Sequence, residues 1–518
     1  MPTVTEASRA DSTSIESAKT PGTTIDSWRA DAAAGLSRPM PTDKLFAWIF
    51  TLLIAGASLL LRLIDLSWPA RQIFDEAYYP PEAAQLLHYG FEENRGYYFI
   101  VHPPFGKWNI AVGEVLFGDN SVGWRFSGVI AGCGAIVLMS FVVRRMTRST
   151  FFGLIAALLL AVDGFSFTIS RTGILDIFLQ FWTLLGFTLL VLDRDRFRAQ
   201  LARATLDGGY LSSIRGRLYG PRVGFRWWRL AAGITLGLNA SVKWSGAYFL
   251  VVFAIACVIW DWGAYRAIGV EKPFVATLRR SLPTALWDLL VIPILTYLAT
   301  WIGWFMGESA QGRHWAEGRS TNFPWIPEAI RSMWHMQGAW LEFHTHLDTP
   351  HPFQSQPWSW LFSGRPVLLA NDSITAADGE VTMRTIIPIG TPALWWVFAL
   401  AGLWMCWWAY SRVDWRAMII LLAIVAGWAS WLTDTERTMF MFYMAPVLPF
   451  FIMAVTFCLG DVMGKQTDSE RRRLWGRSVV AVYVALVVVM FGFFLPVLNG
   501  TEISQFQWHS RSWLTAWF

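Results

Sequence analysis

Predominantly apolar stretches recur along this chain from near residue 45 to near residue 497. A helix of about 20 apolar residues crosses the hydrocarbon core of a bilayer, where each backbone N–H and C=O must find its partner inside the segment. Charged residues make up only 15% of the chain, whereas a soluble domain carries about 25%. The pattern therefore predicts an all-α polytopic membrane protein.

Eleven stretches are predicted to span the membrane. They lie near residues 45–66, 121–143, 150–167, 172–192, 229–242, 244–260, 286–306, 390–410, 417–433, 438–459 and 478–497. The chain also contains 32 tryptophans. Tryptophan favours membrane interfaces, where its ring is buried and its N–H stays hydrated.

Basic residues flank the predicted spans unevenly. Clusters follow the second, fourth, sixth and eighth spans and precede the eleventh; they include Arg144, Arg145, Arg148, the nine arginines of 193–229, Arg266, Lys272, Arg279, Arg280, Arg412, Arg416, Arg471, Arg472, Arg473 and Arg477. With a cytoplasmic N-terminus, every cluster falls in the cytoplasm, as the positive-inside rule requires. We therefore attribute the net charge of +5 to topology rather than to nucleic-acid binding, and expect a multi-pass protein of the cell membrane.

The polar segments divide the chain into recognisable parts. Residues 1–43 are rich in Ser, Thr, Ala and Asp and are predicted to be a disordered cytoplasmic tail, and 44–518 forms the membrane domain. Two long loops, 67–120 and 307–389, are expected outside. All four cysteines lie within apolar spans, which indicates neither a disulfide framework nor a thiolate metal site.

The first outer loop carries an acidic pair, Asp75 and Glu76, just after the first span. Two short helices, about 80–90 and 103–116, are expected to lie in the membrane interface with Phe105, Trp108, Val112 and Val115 against lipid. A carboxylate in a partly dry cleft has a raised proton affinity and can take the proton from an attacking alcohol. The acidic pair is therefore a candidate general base, and a solvated pair or a helix cap is the alternative.

Three cationic residues are predicted at the same outer surface: Arg125, Arg171 and Lys243. One arginine at the end of a span is usually an interfacial anchor. Three cations on the face that carries an acidic pair indicate an anionic ligand, and guanidinium groups suit phosphate. Asp176, one turn inside the fourth span, is expected to pair with one of them.

The second outer loop is rich in histidine and aromatic residues, among them His344, His346, His351 and Trp358. Their spacing matches no strong zinc pattern, so we expect no zinc site. Aromatic and polar residues close together suit a sugar ring or a loop packed on the membrane. Asp75 and Glu76 with a nearby histidine could hold Mg²⁺ or Mn²⁺ loosely. No glycine-rich loop of the Walker type is present in the sequence.

Five motifs in order resemble those of the protein O-mannosyltransferases. They are Phe74-Asp75-Glu76, His102-Pro-Pro-Phe-Gly-Lys107, Trp124-Arg125-Phe126-Ser127-Gly128, Ser241-Val-Lys243-Trp-Ser-Gly246 and His351-Pro-Phe-Gln-Ser-Gln-Pro-Trp-Ser-Trp360. A later block, Arg437-Thr-Met-Phe-Met-Phe-Tyr443, is similar as well. Eukaryotic members carry a MIR domain in the long outer loop. The loop at 307–389 is too short for one, so the chain resembles bacterial members of the actinobacterial type.

The resemblance implies a GT-C fold and transfer of mannose from a polyprenyl-phosphate carrier to Ser or Thr hydroxyls of proteins crossing the membrane. The acidic pair of the family maps onto Asp75 and Glu76, and its first-loop arginine onto Arg125. His102 and Lys107 then become candidates for binding the donor, together with Arg171, Asp176 and Lys243. His346, His351 and Trp358 are candidates for the acceptor side.

We therefore expect Asp75 to act as the base in an inverting single displacement, with Arg125 binding phosphate and Arg171 or Lys243 helping. The acceptors would be proteins emerging from the secretion translocon. One alternative is a GT-C transferase that moves a carrier-linked sugar to a lipid or polysaccharide. A more distant one is a transporter in which Asp176 and Lys243 couple ions. Transporters place such groups near the bilayer midplane and often show inverted repeats, neither of which the sequence indicates.

Overall fold

The structure is a computed structural model that describes residues 25–93, 101–375, 377 and 379–518. Its first α-helices are α1 Ile25–Leu36, α2 Lys44–Leu63, α3 Tyr79–Tyr89, α4 Pro104–Phe117, α5 Ser121–Thr147, α6 Thr150–Ala161, α7 Gly164–Ile169, α8 Asp176–Asp207, α9 Ile214–Tyr219, α10 Trp227–Ala240 and α11 Gly246–Ala267. The next are α12 Pro273–Ala276, α13 Leu282–Leu286, α14 Ile292–Thr300, α15 Ile302–Met306, α16 Glu328–Thr345 and α17 Pro357–Trp360. The last are α18 Pro392–Trp395, α19 Phe398–Arg412, α20 Trp415–Gly427, α21 Leu448–Met463, α22 Glu470–Asn499 and α23 Gln505–His509.

Tighter and wider helical turns connect some of these elements. The 3₁₀ turns are Phe74–Ala77, Gly209–Ser212, Ala429–Thr433 and Met441–Met444. Two π-helical turns, Thr277–Ser281 and Trp287–Val291, join α12, α13 and α14 into one stretch.

Helices occur at all the predicted spans. Within the described residues, seven stretches are long and apolar enough to cross a membrane: Lys44–Leu63, Ser121–Thr147, Asp176–Asp207, Gly246–Ala267, Pro273–Thr300, Pro392–Arg412 and Glu470–Asn499. The predicted spans at 150–167, 417–433 and 438–459 overlap the shorter apolar helices α6, α20 and α21, the last of which begins ten residues later than predicted. The span at 229–242 coincides with α10, which has 14 residues. The multi-pass architecture is confirmed, and the count of eleven stays a prediction.

The core of the bundle lies around α5, α8 and α21. Every residue of α21 from Leu448 to Phe457 is buried, as expected for a helix that is apolar on all sides and surrounded by other helices. By contrast, only 22% of the apolar window of α2 and of α22 is buried. Those two helices therefore present most of their surface to lipid.

Part of the predicted disordered tail is helical. Helix α1 packs against α8 and α11, burying Ala33 and Leu36 beside Phe197 and Leu201. Arg198 donates to the carbonyl of Leu36 at 3.1 Å. Alanines favour a helix and let it approach its neighbour closely, so the prediction of disorder is wrong for residues 25–36. Residues 1–24 of the tail lie outside the described residues.

The two helices predicted in the first loop are present as α3 and α4. Val112 and Val115 on α4 are exposed, as predicted, but Phe105 and Trp108 are half-buried against the core. Phe105 packs on Trp182 with ring centroids 5.2 Å apart. Helix α4 lies directly on α5, so the side that carries Phe105 and Trp108 faces the protein. The prediction that all four residues face lipid is therefore wrong for these two.

A small antiparallel sheet is added to the otherwise helical fold. It contains β1 Ala370–Thr375, β2 Val381–Ile386 and β3 Ile503–Ser504, in the order β1-β2-β3. Strand β3 follows α22 directly, so the sheet ties the second outer loop to the end of the chain.

Candidate active site

A cavity of about 860 Å³ lies where the two predicted outer loops meet the ends of the spans. The 3₁₀ turn 74–77, the start of α8, the turn between α10 and α11, residues 341–351 and residues 426–446 all contribute to its wall. Five predicted site residues line it: Asp75, His102, Asp176, Lys243 and His351. Residues from five separate parts of the sequence thus converge on one site.

Asp75 stands on the 3₁₀ turn Phe74–Ala77, between α2 and α3, and is half-buried in the cavity wall. Burial raises the pKa of its carboxyl group to about 6. The positive charge of Lys243 and a hydrogen bond with Tyr79 act in the opposite direction, while the charge of Asp176 adds to the rise in pKa. A carboxylate with such a pKa is suited to accept a proton near neutral pH.

Lys243 and Asp176 form a buried ion pair in the same wall. The lysine Nζ lies 2.7 Å from Oδ2 of Asp176, and the two side chains are 8% and 1% exposed. Asp176 is the first residue of α8, and Lys243 lies in the turn between α10 and α11. The prediction that Asp176 pairs with one of the three cations is confirmed, and its partner is Lys243.

Arg437 is a second cation in the cavity wall. Its Nε donates to the carbonyl of His344 at 2.7 Å, and its Nη1 donates to the hydroxyl of Tyr443 at 3.4 Å. The guanidinium also lies 5.5 Å from the ring centroid of Trp431. Arg437 had no assigned role in the sequence analysis, although it opens the block Arg437–Tyr443 that resembles the family.

Two histidines stack on another part of the wall. The rings of His102 and His344 lie 5.2 Å apart and are inclined by 19°. The Nε2 of His344 is 3.0 Å from the carbonyl of Val101, so this nitrogen carries the hydrogen and donates it. Burial lowers the pKa of both histidines, that of His102 to well below its usual value. Neutral imidazoles at this place can exchange hydrogen bonds with sugar hydroxyls.

Glu76 and Arg125 are buried outside the cavity lining. Nε and Nη2 of Arg125 each donate to a different carboxylate oxygen of Glu76 at 2.8 Å. The remaining donors of Arg125 bond the carbonyls of Leu66 and Arg71. The arginine is 1% exposed and the glutamate 0%. Arg125 thus lies outside the cavity lining with its guanidinium bonded to oxygens of the protein, and its binding of phosphate stays a prediction.

Arg171 and Lys107 also lie outside the cavity lining. Arg171 donates to the carbonyls of Leu61, Asp65 and Asn499, and thereby caps the C-terminal ends of α2 and α22. Lys107 is 0% exposed and bridges two glutamates, Glu82 at 3.0 Å and Glu92. Carbonyls and carboxylates of the chain itself bond these two cations outside the cavity, and donor binding by either stays a prediction.

The residues predicted in the second loop separate into two groups. His351 reaches the cavity and packs edge-on against Phe74 and Phe440, with ring centroids 5.7 and 5.1 Å away. His346 and Trp358 are exposed and lie outside the lining. Of these three predicted residues, His351 alone therefore lines the cavity.

A divalent metal finds little support in the described part of the chain. No group of three His, Cys, Asp or Glu residues there is arranged to hold one. Oε1 of Glu76 accepts from the amide of Gly173 at 2.8 Å and Oε2 from that of Ile73 at 3.1 Å, in addition to Arg125. Glu76 is thus not free to join Asp75 in the pair of carboxylates expected for Mg²⁺ or Mn²⁺.

Two family models match the chain. One, described as dolichyl-phosphate-mannose-protein mannosyltransferase, matches residues 52–214. The other, described as the C-terminal four TMM region of protein-O-mannosyltransferase, matches residues 329–517. Together they include all the cavity-lining segments except those near 243–249.

Curated relatives match over nearly the whole chain. The polyprenol-phosphate-mannose–protein mannosyltransferase of Mycobacterium tuberculosis is 40% identical over 494 residues, which cover 92% of this chain and 93% of the relative. The protein of the same name from Corynebacterium glutamicum is 33% identical over 488 residues, covering 91% and 93%.

A solved structure shows the same fold. The Pmt1–Pmt2 protein O-mannosyltransferase complex of Saccharomyces cerevisiae, bound to the sugar donor, superposes with a TM-score of 0.73 at 16% identity, covering 94% of each chain. This likeness confirms the GT-C fold that the sequence motifs implied. With the family models and the bacterial relatives, it shows that the chain belongs to the protein O-mannosyltransferase family of membrane glycosyltransferases.

Proposed function

We propose that the cavity holds the head of polyprenyl-phosphate-mannose and that Asp75 activates a Ser or Thr hydroxyl of a protein acceptor. The observation that carries this proposal is the convergence of a carboxylate of raised pKa, Asp75, and two cations, Lys243 and Arg437, on one cavity. The names of the bacterial relatives supply the donor and the acceptor class.

The two cations of the cavity wall are suited to the phosphate of the donor. Arg437 presents a planar fork, and Lys243 a compact charge already held against Asp176. As the carbon–oxygen bond to the carrier breaks, negative charge grows on the phosphate oxygens. Cations fixed in advance stabilise that charge without reorganising during the reaction. This assignment replaces Arg125 and Arg171, whose guanidinium groups are used elsewhere.

An apolar side of the cavity offers a path for the lipid of the donor. Leu179, Phe249, Ala426 and Pro446 line it, and Gly427 lies among them. A methyl group on Gly427 would lie 2.5 Å from the ring of Phe249, so glycine keeps this wall open. We infer that the polyprenyl chain leaves the cavity between α8, α11 and α20, while the phosphate stays at the polar side.

The chemical step is a single displacement at the anomeric carbon. The hydroxyl oxygen of the acceptor attacks that carbon from the side opposite phosphate, and Asp75 takes the hydroxyl proton. The bond between the anomeric carbon and the phosphate oxygen breaks, the electron pair leaves with polyprenyl phosphate, and the configuration at the anomeric carbon inverts. A phosphate leaving group is a stable anion, so it needs charge neutralisation more than a proton.

The same proposal gives the enzyme its place in the cell. The basic clusters are expected in the cytoplasm of a bacterium, with the cavity at the opposite, extracytoplasmic face of the plasma membrane. An acceptor emerging unfolded from the secretion translocon would meet the cavity there. A carrier-linked donor at that face would make a nucleotide site on this chain unnecessary.

Purified protein in detergent tests the proposal with polyprenyl-phosphate-mannose labelled in the sugar. We expect label in a Ser/Thr/Pro-rich peptide with the native chain and about 10² to 10⁴-fold slower labelling with Asp75→Asn. A peptide in which every Ser and Thr is replaced by Ala is the matched acceptor control. Labelling of that peptide would rule out hydroxyl transfer.

A glycolipid or polysaccharide acceptor tested in parallel addresses the nearest alternative. If such an acceptor were labelled and the peptide were not, the acceptor would be a glycolipid or polysaccharide in place of a protein, and the proposed donor site would still hold. Labelling of the peptide at the same rate by the native chain and by Asp75→Asn would retain the reaction and remove Asp75 as its base.

A further inference from the structure

A basic and aromatic surface lies at the end of the bundle opposite the cavity. Helix α8 begins at the cavity with Asp176 and ends at Asp207, and the antiparallel α10 begins at Trp227 and ends just before Lys243. Residues 214–228 and 271–279 form the surface between these far ends. We define the basic platform as Arg215, Arg222, Lys272 and Arg279 with the aromatic residues Phe225, Trp227 and Phe274.

The platform combines charge with exposed apolar rings. All four of its cationic residues are exposed. Trp227 is 68% exposed, Phe274 60% and Phe225 56%. Exposure of large aromatic rings to water is unfavourable. At the level of the lipid headgroups the rings can contact acyl chains while the neighbouring cations contact phosphate.

The two halves of the platform are joined into one surface. The amide of Glu271 donates to the carbonyl of Arg217 at 3.1 Å, and the amide of Lys272 donates to that of Leu218 at 3.2 Å. The guanidinium of Arg279 lies 4.8 Å from the ring centroid of Tyr219. The segment that carries Arg215 is thus paired through its backbone with the segment that carries Lys272, and Arg279 lies against Tyr219 of the first segment, an arrangement that topology control alone does not require.

Buried ion pairs hold the platform from the inside. Arg226 bonds Asp193 of α8 and Asp261 of α11, and Nε of Arg229 donates to Asp288 at 2.8 Å. These two arginines face inward and are compensated by carboxylates. The outward cations have little such compensation among the described residues, where Glu271 lies 3.9 Å from Arg217. The surface therefore has a net positive charge available for a ligand.

We propose that the basic platform binds an anionic phospholipid of the surrounding bilayer, such as phosphatidylglycerol or cardiolipin. The headgroup phosphate lies between Arg215, Arg222 and Lys272, and the acyl chains lie along Trp227 and Phe274. Bound there, the lipid braces the far ends of α8 and α10, the helices that lead to Asp176 and Lys243. This lipid is distinct from the donor, whose head lies at the other end of the bundle.

Native mass spectrometry of the full chain, delipidated in mild detergent and supplied with phosphatidylglycerol or phosphatidylcholine, tests the proposal. We expect preferential retention of phosphatidylglycerol and a higher melting temperature with it. The double variant Arg215→Gln/Arg222→Gln should bind it roughly tenfold to thirtyfold more weakly, from two lost phosphate contacts. The matched control Arg471→Gln/Arg477→Gln removes the same charge from the exposed start of α22. It should bind phosphatidylglycerol as tightly as the native chain does.

Three outcomes would overturn the proposal. Equal retention of phosphatidylglycerol and phosphatidylcholine would show that the platform does not recognise an anionic headgroup. If the platform variant and the control lost the same amount of phosphatidylglycerol binding, the binding would depend on the overall positive charge of this end of the bundle and not on the platform. Displacement of the lipid by millimolar inorganic phosphate would assign the site to a free anion, because a lipid held also by its acyl chains resists such competition.

Discussion

Arg125 and Glu76 form a buried ion pair in which two guanidinium nitrogens each donate to a different carboxylate oxygen at 2.8 Å. Glu76 also accepts from the amide of Gly173 at 2.8 Å. Glu76 is the neighbour of Asp75, and Gly173 lies three residues before Asp176. One carboxylate therefore links the segment of the proposed base to the segment of the residue that holds Lys243, and we propose that both members of the pair are positioning residues.

Replacement of Arg125 by Met should destabilise the protein by about 3 to 5 kcal/mol, because the charge of Glu76 remains buried without its partner. Differential scanning fluorimetry should show a lower melting temperature, and Arg125→Met/Glu76→Gln should recover part of the loss. In the folded fraction we expect a lower kcat with little change in the donor KM. A raised donor KM at an unchanged melting temperature would instead make Arg125 a ligand of the phosphate.

Replacement of Asp75 by Asn should lower kcat by about 10² to 10⁴-fold, the range typical for loss of a general base. The melting temperature should stay the same or rise, since a partly desolvated charge is removed. Asp372→Asn is the matched control, because that carboxylate is exposed and paired with Arg71 at 2.7 Å. Full activity of Asp75→Asn would contradict the assignment.

The pH dependence of kcat/KM should show an acidic limb near pH 6. Asp75 acts as a base only when ionised, so activity should fall as the pH drops through its pKa of about 6. Lys243 lowers that pKa, so Lys243→Met should move the limb to higher pH while reducing the rate. An acidic limb that stays in place in Lys243→Met would argue against Asp75 as the titrating group.

The same pKa has a consequence for stability. The folded-state pKa of Asp75, about 6, exceeds the ordinary value of 3.8, so the folded protein binds this proton more tightly than the unfolded chain. The contribution of Asp75 to the free energy of unfolding is fully present below about pH 4 and is lost as the pH rises through 6. Asp75→Asn should remove this dependence, measured as the difference in melting temperature between pH 5 and pH 7.

Replacement of Arg437 by Gln should weaken donor binding by roughly tenfold to a hundredfold, as expected for a lost hydrogen bond to a charged group of about 1.5 to 3 kcal/mol. Calorimetric titration with a short-chain polyprenyl phosphate measures this directly, and the KM for the peptide should change little. Arg365→Gln is the control, because Arg365 bonds the carbonyl of Pro352 outside the cavity lining. Unaltered binding to Arg437→Gln would leave Lys243 as the proposed phosphate ligand.

Replacement of Gly427 by Ala should narrow the apolar side of the cavity. The added methyl group would lie 2.5 Å from Phe249 and 2.9 Å from Val447, and overfilling of this kind costs about 1 to 3 kcal/mol. We expect a lower melting temperature and weaker binding of long-chain donor. Gly402→Ala on α19 meets nothing within 4 Å and should be neutral or stabilising. If the two variants had the same melting temperature and the same affinity for long-chain donor, Gly427 would not be needed to keep the apolar side of the cavity open.

Hydropathy predicted the membrane helices well because it is a property of contiguous residues. A stretch such as 478–497 must be helical in a bilayer whatever it contacts, and α22 spans Glu470–Asn499. Asp75 was found for a similar reason, since it lies in a polar loop immediately after the first span. The small sheet and helix α1 escaped prediction, because both depend on neighbours far away in the chain.

Sequence by itself determined the fold class, the family and the candidate base. Only the tertiary structure decided which cations line the cavity. Arg125, Arg171 and Lys107 looked equivalent to Lys243 along the chain, but the first three lie outside the cavity lining. Lys243 lines the cavity while paired with Asp176, and Arg437 joins it from nearly 200 residues further along the chain. The physical reason is that a buried cation must be compensated by whatever oxygen the fold places beside it, and that choice is made in space rather than along the chain.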